Sequence, residues 1–134
     1  MTTTITNGEL MEKARAARQH AHAPYSKYYV GSAIVDENGE LHVGCNVENS
    51  AYPQGSCAEA CAIGAMVSAG ARRIVKIAVA GGGAALGACT PCGGCRQRIK
   101  EFSDRATRII VLDGDGELVE HTIDDLLPAP TTPV

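Results

Sequence analysis

Cys92-Gly93-Gly94-Cys95 is a C-x-x-C pair preceded by Pro91, and Cys57-Ala58-Glu59 lies upstream of it. Cysteine thiolates in this pattern are zinc ligands. Three protein ligands leave the fourth tetrahedral position to water, the arrangement of a catalytic site, whereas four ligands close a structural one. Glu59 stands two residues beyond Cys57. Its carboxylate is thus placed beside the metal, where it can take a proton from water and pass it on. Both cysteine elements are expected where a loop enters a helix. The backbone N–H groups there lack helical partners and the helix dipole favours negative charge, which stabilises thiolates.

Zinc-dependent nucleobase deaminases carry H-x-E followed by P-C-x-x-C, with the Glu as proton shuttle and not a ligand. This chain has Cys57 where that pattern has His. Three thiolates around zinc leave a net negative charge, whereas one His and two thiolates leave none, so bound water is polarised less. Two helix N-termini offset part of this, and Arg96, next to Cys95, is expected to offset more by donating to a sulfur. Other uses of the cysteines are a disulfide, an iron–sulfur cluster built on Cys89-x-x-Cys92-x-x-Cys95, and a closed structural zinc with Cys61 or Cys89 as fourth ligand. A cluster lacks the C-x-x-x-C-P continuation and leaves Glu59 without a role. Cys45, Cys61 and Cys89 read as small packing residues. His20, His22, His42 and His121 have no ligand spacing and read as surface residues.

The chain that must position these groups has 134 residues, 45% hydrophobic and 20% charged, which suits one soluble domain over 1–134 with an aliphatic core. A net charge of −3 argues against a nucleic-acid partner, which requires a basic face. No apolar run has the length of a membrane span, and residues 1–7 lack the blocks of a signal peptide. A cytoplasmic location follows, and it favours metal over disulfide for the six cysteines.

Apolar spacing predicts a helix from Gly8 to His22, capped by Asn7 and stopped by Pro24. Two strands follow, Tyr29 to Val35 and Leu41 to Val47, joined by Asp36-Glu37-Asn38-Gly39 as a hairpin turn. A helix from Ala58 to Ala69 ends at Gly70, and a strand runs from Ile74 to Ala80. A helix from Gly93 to Phe102, strands from Arg108 to Leu112 and Leu118 to His121, and a short capped helix from Thr122 to Leu127 complete the order. Residues from about 1 to 7 and from 129 to 134 are expected to be flexible tails. Strands alternating with helices imply one mixed sheet covered on both faces.

Several segments in this order resemble the small homotetrameric cytidine deaminases. They are Pro24-Tyr25-Ser26-Lys27, Val30-Gly31, Gly44 to Asn49, Cys57-Ala58-Glu59, Pro91-Cys92-Gly93-Gly94-Cys95-Arg96-Gln97 and Leu126-Leu127-Pro128. The resemblance implies a three-layer α/β/α sandwich on a mixed five-stranded sheet, one zinc ion per subunit, and deamination of cytidine or deoxycytidine in pyrimidine salvage. It makes Cys57, Cys92 and Cys95 the ligands and Glu59 the proton shuttle. Asn46 and Glu48 would bond the ribose hydroxyls, backbone at Cys57 and Ala58 would read the pyrimidine edge, and Arg96 and Gln97 would support the centre. It also implies a homotetramer with shared active sites, a nucleoside substrate and no membrane or nucleic-acid partner. Three positions depart from the pattern. Ala60 stands where Arg often follows the catalytic Glu, Tyr28 stands where a Phe packs on the base, and Ala129-Pro130 replaces a C-terminal Phe. The helix Cys57 to Gly64 also resembles blasticidin-S deaminase, whose substrate is a cytosine-nucleoside analogue.

Overall fold

Alternation along the strands sorts the core into two layers. The computed structural model describes residues 5–133. Its elements are α1 (Asn7–Arg18), β1 (Tyr29–Asp36), β2 (Leu41–Cys45), α2 (Ala58–Ser68), β3 (Ile74–Gly82), α3 (Gly93–Glu101), β4 (Arg108–Leu112), β5 (Leu118–His121) and α4 (Ile123–Leu126). Successive strand side chains point to opposite faces. Ala33, Val35, Ala78, Ala80 and Ile110 pack with Leu10, Met11 and Ala14 of α1. Their neighbours Ile34, Ile77, Val79, Ile109 and Val111 pack on the other face with Ala62, Ile63 and Met66 of α2, Ile99 of α3 and Ile123 of α4. Small residues let α1 approach closely, and large ones fill the space under the pair α2 and α3.

The sheet has the order β2-β1-β3-β4-β5. β1 is antiparallel to both β2 and β3, β3 runs parallel to β4 across the α3 crossover, and β4 is antiparallel to β5. The register pairs Gly31 with Cys45 and Tyr29 with Gly82. The start of β1, the end of β2 and the end of β3 therefore meet at one edge. The loops into α2 and α3 leave from that edge.

Local chemistry agrees with most expected boundaries. Gly70 has φ +99° just past α2, a left-handed conformation that costs glycine least. The α1 cap is Thr6, not Asn7: its hydroxyl accepts from Glu9 N, and Glu9 returns a bond to Thr6 N. α1 also stops at Arg18, short of His22. Arg18 instead turns back, donating to the carbonyls of Tyr29, Gly82 and Gly83. His42 is not a surface residue. Its Nε2 donates to Asp36 Oδ2 at 2.7 Å, and Asp36 is 2% exposed. Asp36 Oδ1 accepts from the N–H groups of Asn38 and Glu40, which closes the β1–β2 turn.

Candidate active site

Each of the two central helices begins at a cysteine. Cys57 is the N-cap of α2 and Cys92 the N-cap of α3, both in extended conformation. Cys95 lies one turn into α3 and is buried. The three sulfurs lie within 4.8 Å of one another, and Cys57 Sγ is 3.9 Å from Cys92 Sγ. Cys61 and Cys89 stand outside this group, so among the described residues no fourth thiol closes it.

What brings α2 to this position is a missing side chain on β2. A Cβ on Gly44 would lie 2.5 Å from Ala62 N and 2.6 Å from Ala58 O. Only glycine lets the helix lie this close to the strand.

The electrostatics fit a metal. Burial disfavours ionisation at Cys95 and Cys57. Glu59 and the other two thiols push Cys95 further up, well above the ordinary thiol range. Cys92 is held down despite partial burial, because the Cys95 N–H and the two neighbouring thiols bond to its sulfur. Three converged soft donors, two of them kept from ionising chiefly by burial, are relieved by one divalent cation with a preference for sulfur, which describes zinc.

Glu59 is 4% exposed. Burial raises its pKa above the ordinary carboxylate range, while its own backbone and the charge of Arg98 act against that rise. It faces a cavity of about 430 Å³ that also reaches Cys57, Cys92 and Ala58. Tyr28, Asn46 and Glu48 line the same cavity, and so do Ser26 and Cys89, to which the sequence assigned no substrate role, and Tyr52 and Thr90, which it did not single out. Among the described residues no Lys or Arg lines it.

The polar wall is internally braced. Asn46 Oδ1 accepts from Val30 N at 2.9 Å, and its Nδ2 donates to Tyr28 O at 2.9 Å. Glu48 accepts from Tyr25 N, Ser26 N and the Ser26 hydroxyl. Each keeps unused capacity toward the cavity, one amide hydrogen and one lone-pair position respectively. Lys27 has φ +59°, an uncommon conformation for a side-chain-bearing residue, and this turn sets Tyr28 against the site. The Tyr28 hydroxyl bonds Cys89, and chiefly for that reason its pKa is pushed up to about 12.

The arginine nearest in sequence to the centre does not reach it. Arg96 donates to the Pro91 carbonyl, the Leu126 carbonyl and Thr90 Oγ1, so it braces the loop instead of a sulfur. Gln97 exchanges two bonds with the Thr131 backbone, and this pairing ties down the tail segment that was expected to be free. The guanidinium that does touch the centre is Arg98, whose Nη1 donates to Cys95 Sγ at 3.5 Å. Its position three residues beyond Cys95, on the same helix face, was a signal available in the sequence.

Comparison with known proteins agrees with this architecture. The model of the cytidine and deoxycytidylate deaminase zinc-binding region matches residues 5–112. A cytidine deaminase of Sporosarcina psychrophila is 39% identical over 120 residues, covering 90% of this chain and 87% of that protein. One from Halalkalibacterium halodurans is 35% identical, covering 92% of each. The crystal structure of a cytidine deaminase from Burkholderia pseudomallei superposes with a TM-score of 0.86 at 37% identity, covering 95% of this chain and all of that one.

Proposed function

The chain belongs to the zinc-dependent cytidine and deoxycytidylate deaminase family, and from that membership we propose how its residues carry out the hydrolysis of cytidine to uridine and ammonia. The observation that carries the reading is a buried carboxylate, Glu59, beside three converged sulfurs at the end of a cavity without cationic lining. Zinc held by Cys57, Cys92 and Cys95 supplies a Lewis acid that brings the pKa of a water near neutrality.

Glu59 moves the protons. Its raised pKa lets the carboxyl take a proton from the attacking water and deliver it to ring N3. As the water oxygen bonds to C4, its second proton passes from the new C4 hydroxyl through Glu59 to the exocyclic nitrogen, and the C4–N bond breaks to give the C4 carbonyl and ammonia. Asn46 and Glu48 hold the sugar hydroxyls with their remaining amide hydrogen and lone pair. Tyr28 packs on the base, and the backbone of Cys57 and Ala58 at the start of α2 reads the pyrimidine edge. Arg96 and Gln97 support the loop and tail around the centre.

The absence of Lys and Arg from the lining, with Glu48 at the wall, favours a neutral nucleoside over a 5′-phosphate. The same argument, with the net charge of −3, disfavours a polynucleotide strand. A second cavity of about 380 Å³ adjoins the first at Ser26, Glu48 and Tyr52, with Tyr25 in its wall. It leaves room beyond the sugar and supports an activity on larger cytosine-nucleoside analogues such as blasticidin S.

This reading takes residues 1–134 as one deaminase domain, working as a homotetramer in pyrimidine salvage in the cytoplasm. Six free cysteines suit a reducing compartment, and no helix among the described residues is long and apolar enough to cross a membrane. Tyr52 is 76% exposed at the cavity mouth, and Val43 and Leu41 are exposed on β2, surfaces that a neighbouring subunit would cover.

Zinc content and the absorbance change on deamination, measured on one sample, test the reading. One zinc per chain with turnover of cytidine and deoxycytidine is expected, and little with deoxycytidylate or a single-stranded oligonucleotide. Preferred turnover of either of the last two would overturn the nucleoside assignment.

A further inference from the structure

Among the described residues one guanidinium reaches the sulfur centre, and it comes from the face of α3 that carries Cys95. Arg98 Nη1 donates to Cys95 Sγ at 3.5 Å. The guanidinium lies over Gly94, where a Cβ would come within 3.2 Å of Nη1. Among the described residues Arg98 has no acidic partner in an ion pair, and the other arginine near the loop, Arg96, is engaged by the Pro91 and Leu126 carbonyls and by Thr90. The charge state of the centre needs such a group. Loading one divalent ion onto three thiols expels three protons and leaves the site one unit more negative. Glu59, already anionic when it shuttles protons, adds to that burden in the same place.

We propose that Arg98 is the positioning residue of the metal centre, its guanidinium donating to the Cys95 sulfur and balancing the negative charge that metal loading creates. The proposal rests on the reading of Cys57, Cys92 and Cys95 as zinc ligands. Ala60 lines the same groove between α2 and α3 as Arg98 and Gly64. It stands three residues beyond Cys57 on α2, so a long cationic side chain there would approach the sulfurs from the opposite helix. This chain carries a methyl group at that position and supplies the charge from α3.

The experiment titrates metal-free protein with zinc against a chromophoric chelator and records the sulfur-to-metal charge-transfer bands of the cobalt(II) form. The set is the native chain, Arg98→Met, Arg98→Lys, and Arg98→Met combined with Ala60→Arg. Arg98 is exposed, so its loss leaves the fold intact, which circular dichroism checks. Arg98→Met should weaken zinc binding about ten- to a hundredfold and shift the cobalt bands. Lysine, a point charge without the planar fork, should restore part of the loss, and Ala60→Arg most of it. Added salt should narrow the gap between native and Arg98→Met, because the guanidinium is solvent-accessible. Zinc affinity within about twofold of native with unchanged cobalt bands in Arg98→Met would overturn the proposal. A native chain that takes up no zinc overturns the ligand reading itself, and that outcome is visible before any variant is compared.

Discussion

Glu59 and Asn46 carry different parts of the chemistry, and their environments predict how each fails. Glu59 is buried without being a member of the sulfur group, so its amide variant deletes proton transfer and leaves the ligands. Glu59→Gln is expected to keep one zinc per chain and lose about 10²–10⁴ in kcat, the usual worth of positioned general acid–base catalysis. Metal analysis beside steady-state kinetics reads both, and near-normal turnover would remove the shuttle role. Asn46 holds Val30 and Tyr28 through backbone bonds and offers only its remaining N–H to the sugar. Asn46→Ala should therefore raise KM more than it lowers kcat, and should also lower the melting temperature, since two backbone groups lose their partner. An unchanged KM would show that the side chain serves the wall alone.

At the scale of elements, the fit of α2 against β2 and the β1–β2 turn are the sensitive contacts. A methyl group on Gly44 would meet the α2 backbone at Ala62 N and Ala58 O, and backbone cannot rotate away. Gly44→Ala is expected to cost about 1–3 kcal/mol as an overpacked contact. It should also weaken zinc retention, because the start of α2 carries Cys57; thermal denaturation with metal analysis tests both. The turn depends on Asp36. Burial works against its charge, but bonds from His42 and from the Glu40 and Asn38 N–H groups prevail and hold its pKa below the ordinary carboxylate value. A depressed folded-state pKa means stability that is complete above the unfolded value of about 3.9 and is lost as pH falls through the folded value. Native protein should lose melting temperature over that acid range, while Asp36→Asn starts lower by about 1–3 kcal/mol and has a flatter slope there. Equal slopes would exclude Asp36 as the source.

At the scale of the whole molecule, metal binding is expected to add to stability. The two helices that flank the centre bring three sulfurs within 4.8 Å of one another, so a metal held there would join them. A chelator should lower the melting temperature and abolish deamination, and zinc should restore both, because a ligand bound only by the folded state stabilises it by mass action. Sedimentation equilibrium is expected to give four times the chain mass of 13.9 kDa. A monomer that is fully active would show that the cavity mouth needs no neighbour.

The sequence by itself determined the order of elements, the three cysteines and the glutamate, because these are local. C-x-x-C, Pro91, Gly70 and the Asp36–Gly39 turn act through the backbone next to them. It also singled out Asn46, Glu48 and Tyr28, through the family resemblance, and all three line the cavity beside Glu59. What only the tertiary structure decided are the contacts between elements. Arg96 is adjacent to Cys95 in the chain, yet its guanidinium reaches back to the loop and across to the Leu126 carbonyl, while Arg98, one turn on, lies against the sulfur. Gln97 fastens a tail whose composition suggested freedom, and His42 is drawn inward by a buried aspartate. Adjacency along a chain fixes where a Cα sits relative to its neighbours, but a side chain of several rotatable bonds points where other elements offer partners. Helix packing against the sheet settles those partners, and local spacing does not encode it.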